Sequence, residues 1–201
     1  MDERNRYLNT RSFEFALALA IVLAHLYVVF APANSLVNWF TTDDAFYYFK
    51  VAQNISEGHG STFDQIGYTN GYHPLWLLVC IPIFSLARYD LILPLRMVVL
   101  LMSILTAGTS ILLFRLLKMR LSALTAGLAA IFWAFFPTSH AVTTTLGMES
   151  GINAFFIMLL LYQTASFDAF PERRTRQQLW VMGVTALLMV LSRLDNAFLA
   201  V

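Results

Sequence analysis

The sequence predicts an all-α fold, a polytopic bundle of transmembrane helices with a long outer loop that carries interfacial helices. Two observations predict it. Of the 201 residues, 58% are hydrophobic and only 12% charged, with a mean hydropathy of +0.64; a soluble domain is about a quarter charged. The apolar stretches are also too many and too long to be core helices of one water-soluble domain. The net charge of +1 points to no acidic partner, and there is no basic run suited to nucleic acid. Cys80 is the lone cysteine. It can form no internal disulfide, and its setting in Leu77-Leu78-Val79-Cys80-Ile81 reads as a small buried apolar residue.

Segment 13–31 is the first span. Arg4, Arg6 and Arg11 precede it, as they would a signal peptide, but it is long for one. Ala31-Pro32-Ala33 is also a poor cleavage site, so the segment reads as a retained anchor, with His25 as a packing residue. Segments 92–114, 121–137 and 179–199 are the other long spans, and 150–165 is a shorter one. Segment 74–87 carries Pro82, and its length suits a short or re-entrant helix. The chain closes on Ala197-Phe198-Leu199-Ala200-Val201 without a polar stop, which suggests the N-terminal part of a longer protein. Residues 1–201 form a single transmembrane module, with 32–73 as its first outer loop.

Orientation follows from the basic groups Arg4/Arg6/Arg11, Arg115/Lys118/Arg120 and Arg173/Arg174/Arg176, which belong on the cytoplasmic side. All three reach that side if 74–87 does not cross. Segments 32–73 and 138–149 and the end of the last helix then share the outer face.

Within the first outer loop, Thr42 is a plausible N-cap, Asp43 and Asp44 fill a first turn, and Gly58 ends the helix near Glu57. Ala45, Phe46, Phe49, Ala52 and Ile55 fall roughly along one stripe, as in a helix lying on the membrane surface. Trp39, Trp76, Tyr47, Tyr48, Tyr68 and Tyr72 make the interface rich in aromatic residues. The sequon Asn54-Ile55-Ser56 falls on this helix and carries little weight.

The adjacent carboxylates of Asp43 and Asp44 admit two readings. Acids in a first turn complement the helix macrodipole. At a water–lipid boundary, desolvation and the neighbouring like charge would instead raise their pKa and fit one of them to take a proton from an acceptor. His59, Tyr72 and His73 belong to the same loop, where two histidines suit a phosphate-bearing substrate and the turn at Asn70-Gly71 is explained by turn chemistry alone. Glu149 opens an apolar helix, with His140 nearby and Asn153 one turn on; it is either an N-terminal acid or an ionisable group kept at membrane depth for function. Arg193 and Asp195 interrupt the last helix. They are too close to face each other along a helix, so their partners should lie elsewhere, and Arg193 could clamp a phosphate or simply snorkel.

An acidic pair opening an aromatic helix (Asp43-Asp44-Ala45-Phe46-Tyr47-Tyr48), a glycine-rich break (Glu57-Gly58-His59-Gly60) and the run His73-Pro74-Leu75-Trp76 follow a first span. In this the chain resembles the N-terminal module of the polyprenyl-phosphate-dependent GT-C glycosyltransferases, the protein mannosyltransferase and aminoarabinose transferase branch in particular. The resemblance implies a multi-pass protein of a bacterial-type inner or plasma membrane, with its site facing outward. It implies a polyprenyl-phosphate-linked sugar as donor, a protein, glycan or lipid as acceptor, and inversion at the anomeric carbon. Asp43 or Asp44 would be the base, and basic groups would hold the departing phosphate. Gly147-Met148-Glu149-Ser150 and Arg193-Leu194-Asp195-Asn196 fall where the family often places further polar residues. Some relatives use a divalent metal, but no ligand set with the required spacing stands out here. Two other classes fit the same composition: a transporter or flippase of lipid-linked cargo, and a non-catalytic membrane assembly subunit.

Overall fold

The computed structural model describes residues 3–39, 41–137 and 147–199. Among them the protein is helical throughout, with no strand beyond an isolated antiparallel bridge between Thr62 and Tyr68. The helices are α1 (Glu3–Val29), α2 (Ala33–Trp39), α3 (Asp43–Ser56), α4 (Pro74–Phe84), α5 (Leu93–Lys118), α6 (Ala123–Phe135), α7 (Ser150–Ala169) and α8 (Arg176–Ser192). Short 3₁₀ turns follow α4 (Ser85–Arg88), α7 (Pro171–Arg173) and α8 (Leu194–Leu199).

Three helical segments are long and apolar enough to cross a membrane: Thr10–Val29, Leu93–Lys118 and Ser150–Ala169. This is compatible with a membrane protein. Segment 150–165, expected to be the shorter span, is among the three. Two expected spans are shorter than anticipated. Helix α6 has 13 residues, a rise of about 20 Å against a hydrocarbon core of about 30 Å. Ser122 caps it by accepting the Thr125 N–H. At its other end, Phe136 is extended, as the residue before Pro137 must tend to be. Helix α8 has 17 residues and starts at a capping box between Thr175 and Gln178. It stops at Ser192 and does not run on to 199, because the backbone of Arg193 is extended (φ −149°, ψ 119°).

The break at Arg193 is built by side chains. Ser192 Oγ donates to the Met189 carbonyl (2.6 Å) and also lies 3.1 Å from Asn153 Oδ1. Asn196 Nδ2 donates to the same two acceptors, at 2.9 and 2.6 Å. Hydroxyl and amide groups thereby join the Arg193 N–H (3.3 Å) on the last helical carbonyl and tie the turn to it. Asn153 on α7 fixes the position of the turn.

Helices α1 and α5 run antiparallel. Glu14 accepts two bonds from Arg115 (2.8 and 2.6 Å), and Lys118 donates to Thr10 (2.6 Å). Helices α5 and α7 run parallel, with Gly108 against Phe155 and a cavity shared by Leu116, Arg120, Leu161 and Asp168. The three basic groups therefore gather at one end of the bundle. At the other end, α3 packs across α4 and the start of α5 through Tyr48, Phe49, Val51, Trp76, Leu77, Phe84, Leu95 and Val98. Phe84, at the end of α4, stacks on Phe49 (centroids 4.3 Å apart), so both ends of α4 stay beside α3. His25 is buried in α1 and hydrogen-bonded to the Ile21 carbonyl (2.8 Å).

One contact ties the two halves of this end together. Trp76 Nε1 donates to the carbonyl of Gly147 (3.1 Å), and both residues are buried. Gly147 has φ +67°, and a Cβ there would come within 2.8 Å of Phe49 and 3.3 Å of Ala45. Gly147→Ala should therefore cost about 1–3 kcal/mol in backbone strain alone and lower the unfolding midpoint of the purified protein. Gly183 in α8 faces open space, and Gly183→Ala should leave the midpoint unchanged or raise it. Equal effects of the two substitutions would contradict this packing.

Candidate functional site

At the end of the bundle away from the basic groups, four of the residues singled out in the sequence come together. His73 is the residue before Pro74 at the start of α4, in the N-cap position. Its Nδ1 accepts the Leu194 N–H (3.3 Å), so the proton of the neutral ring is on Nε2. Nε2 lies 3.6 Å from Glu149 Oε1. Arg193 Nε lies 4.0 Å from the same oxygen. Arg193 also donates twice to Asp195, Nε to Oδ1 and Nη2 to Oδ2, each at 3.2 Å. The expectation that Arg193 and Asp195 would find partners only elsewhere is corrected here. With the helix broken at Arg193, the i, i+2 geometry of a helix no longer applies, and the two side chains meet.

Glu149 is the buried centre of this group. It is 5% exposed, whereas Asp195 is exposed and His73 and Arg193 are intermediate. Its Oε2 is buried with no hydrogen-bond partner among the described residues. Such an oxygen costs about 1–3 kcal/mol or more when left unpaired. The Arg193 guanidinium bonded to Asp195 holds the Asp195 carboxyl below the usual carboxylate range.

Tyr48 completes the group, and the sequence had marked it only as an interfacial aromatic. Its hydroxyl accepts the His73 backbone N–H (3.1 Å). Burial, with the negative charge of Glu149 beside it, pushes its phenol up to about 12, against the lowering effect of that N–H. Tyr48 falls on the buried stripe of α3 with Ala45 and Ala52, a spacing that packing alone explains.

Asp43 and Asp44 stand in the first turn of α3 as expected. Thr42 occupies the N-cap position without a side-chain cap bond, and Asp43 Oδ1 accepts the Asp44 N–H (3.0 Å). Both carboxylates are exposed, so the protein itself does not supply the desolvation anticipated for them. Neither forms an ion pair among the described residues. Their helix nevertheless adjoins the site, because Ala45 and Phe49 pack against Gly147, two residues before Glu149.

His59 and Tyr72 are not brought in. His59 is exposed, 3.8 Å from Glu57, at the far end of α3; a 14-residue helix separates it from the Asp pair, about 20 Å along the axis. Tyr72 turns its hydroxyl to Ser61 (2.8 Å) and braces the loop. The same loop is held by Asn54, whose Nδ2 donates to the carbonyls of Thr62 and Phe63 (2.9 and 3.0 Å). That buried amide is not available as a glycan acceptor. Tyr47 hydrogen-bonds Thr69 and stacks on Phe63. His140 lies outside the described residues. Among the described residues no group of three or more His, Cys, Asp or Glu side chains is placed to hold a metal ion.

No family model, curated protein or solved structure matches this chain.

The high pKa of Tyr48 gives a measurable consequence. A folded-state pKa of about 12, raised above an ordinary value of about 10, means the folded protein holds this proton more tightly than the unfolded chain. The associated stability is fully present below pH about 10 and is lost as pH rises through about 12. Tyrosinate absorbance should show one late-titrating phenol among the eight tyrosines, and Tyr48→Phe should remove that step. A late step unchanged in Tyr48→Phe would place the buried phenol elsewhere.

Proposed function

We propose that the protein is a membrane glycosyltransferase that moves a sugar from a polyprenyl-phosphate donor to an acceptor at the outer membrane face. The observation that carries this reading is the meeting of His73, Glu149, Arg193 and Tyr48 at the bundle end that α3 also occupies, opposite the basic loops. On the positive-inside pattern the basic end is cytoplasmic, so the site end faces outward, where a lipid-borne donor needs no nucleotide.

In the proposed reaction an acceptor hydroxyl, or amine, attacks the anomeric carbon. The new glycosidic bond forms as the bond from that carbon to the phosphate oxygen breaks, with inversion of configuration. The acceptor proton passes to the carboxylate of Asp43 or Asp44, which are exposed to incoming acceptor. The electron pair leaves on the polyprenyl phosphate, and the guanidinium of Arg193 and the Nε2–H of His73 are the groups suited to receive the phosphate. Glu149 is a positioning residue that faces both donors from the buried side. A resident metal is not required by these roles and is compatible with them.

Asp43→Asn and Asp44→Asn in the full-length protein test the base. The variant that removes it should lower sugar transfer by about 10²–10⁴-fold while membrane insertion persists. Normal transfer by both would sink the assignment. Glu149→Gln should weaken donor binding more than it slows turnover of bound donor, read as a rise in KM that exceeds the fall in kcat. Movement of lipid-linked sugar across reconstituted vesicles without chemical transfer would favour a transporter instead.

A further inference from the structure

At the opposite end of the bundle, α1, α5 and α6 line a cavity of about 580 Å³, a size typical of small-molecule sites. Phe13, Leu124, Leu128 and Ile131 form its apolar walls, and Thr10 and Lys118 its polar rim. Gly127 keeps it open on one side, since a Cβ there would lie 3.1 Å from the Phe13 ring. Leu124 and Leu128 are largely exposed on the protein surface, so the cavity opens laterally between helices.

The charge at the rim is uneven. Arg115 is matched by Glu14, which accepts two bonds from it. The ammonium of Lys118 has only a neutral hydroxyl, that of Thr10 at 2.6 Å, and the face of Phe114, 5.7 Å away. No carboxylate pairs with it among the described residues. A lysine at the mouth of an apolar groove, at the end of α5, which with α1 is long enough to span a bilayer, complements an anion carried on an acyl chain.

We infer that this groove binds an anionic phospholipid, one acyl chain against Phe13, Leu124, Leu128 and Ile131 and the phosphodiester on Lys118 and Thr10. The inference depends on the protein lying in a membrane and not on glycosyl transfer. The lipid would lie against the cluster that Phe13, Leu17, Phe114 and Ala126 form between α1, α5 and α6.

Native mass spectrometry of the purified full-length protein, supplied with phosphatidylglycerol or phosphatidylcholine at equal concentration, tests it. The wild type should retain phosphatidylglycerol roughly fivefold better, the preference expected of one lysine at a membrane surface. Lys118→Gln should abolish the preference, whereas Arg120→Gln, a nearby basic residue off the groove wall, should keep it. Leu128→Trp, which fills the groove, should lower retention of both lipids. Equal retention by the wild type, an unchanged preference in Lys118→Gln, or an equal loss in Arg120→Gln would each overturn the inference. The last of these would assign the effect to general surface charge.

Discussion

The hydrogen bond from the Trp76 indole to the Gly147 carbonyl is the constraint on which the site end depends. It joins α4, at the end of the first outer loop, to the turn that opens α7, across 71 residues of sequence. Gly147 adopts its positive φ there and admits the Phe49 ring and the Ala45 methyl. The carbonyl is buried, so losing its donor would leave an acceptor unsatisfied at a cost of about 1–3 kcal/mol. Glu149 follows two residues later and is thereby fixed beneath His73. The position of the carboxylate is thus decided by a backbone contact, not by the ionic partners around it.

Among the described residues two glutamates are buried, Glu14 and Glu149, and they are treated differently. Glu14 faces Arg115 through two short bonds, 2.8 and 2.6 Å long. Both of its oxygens are used, as a buried carboxylate requires. Glu149 has partners at 3.6 and 4.0 Å on one oxygen and none on the other among the described residues. A bidentate pair of the first kind suits a helix clamp. The second is a loosely held carboxylate beside a histidine, an arginine and the phenol of Tyr48, and a buried group so weakly paired calls for an explanation. That contrast separates the two ends of the bundle more sharply than hydropathy does.

Much of this was legible in the sequence. The extent of α3 followed from Asp43, Asp44 and Gly58, and the gathering of basic residues at one end followed from the order of apolar segments. The end of α6 was written in Ser122 and Pro137, but the apolar residues around them extended the segment when judged by hydropathy alone. The break at Arg193 was not legible, because apolar residues continue on both sides and the turn depends on Asn153, about 40 positions away. Tyr48 was hidden for a similar reason. Its aromatic ring fits the α3 stripe, and only its hydroxyl contacts to segments far along the chain mark it out. Residues whose roles are set by local pattern were readable, and those set by long-range polar contacts were not.

The break at Arg193 also decides which anion that arginine holds. Asp195 is exposed, and an exposed ion pair contributes little. Glu149 is buried and cannot leave. An incoming phosphate would therefore compete with Asp195, at little cost, while Glu149 continues to face Arg193 and His73 from below. Had α8 run on as a regular helix, Arg193 and Asp195 would have pointed to different faces and this exchange would have no geometry. The interruption that ends α8 at 17 residues is the same one that frees a guanidinium to face the site. The early end of the helix and the gain of a candidate anion-binding group have one structural cause.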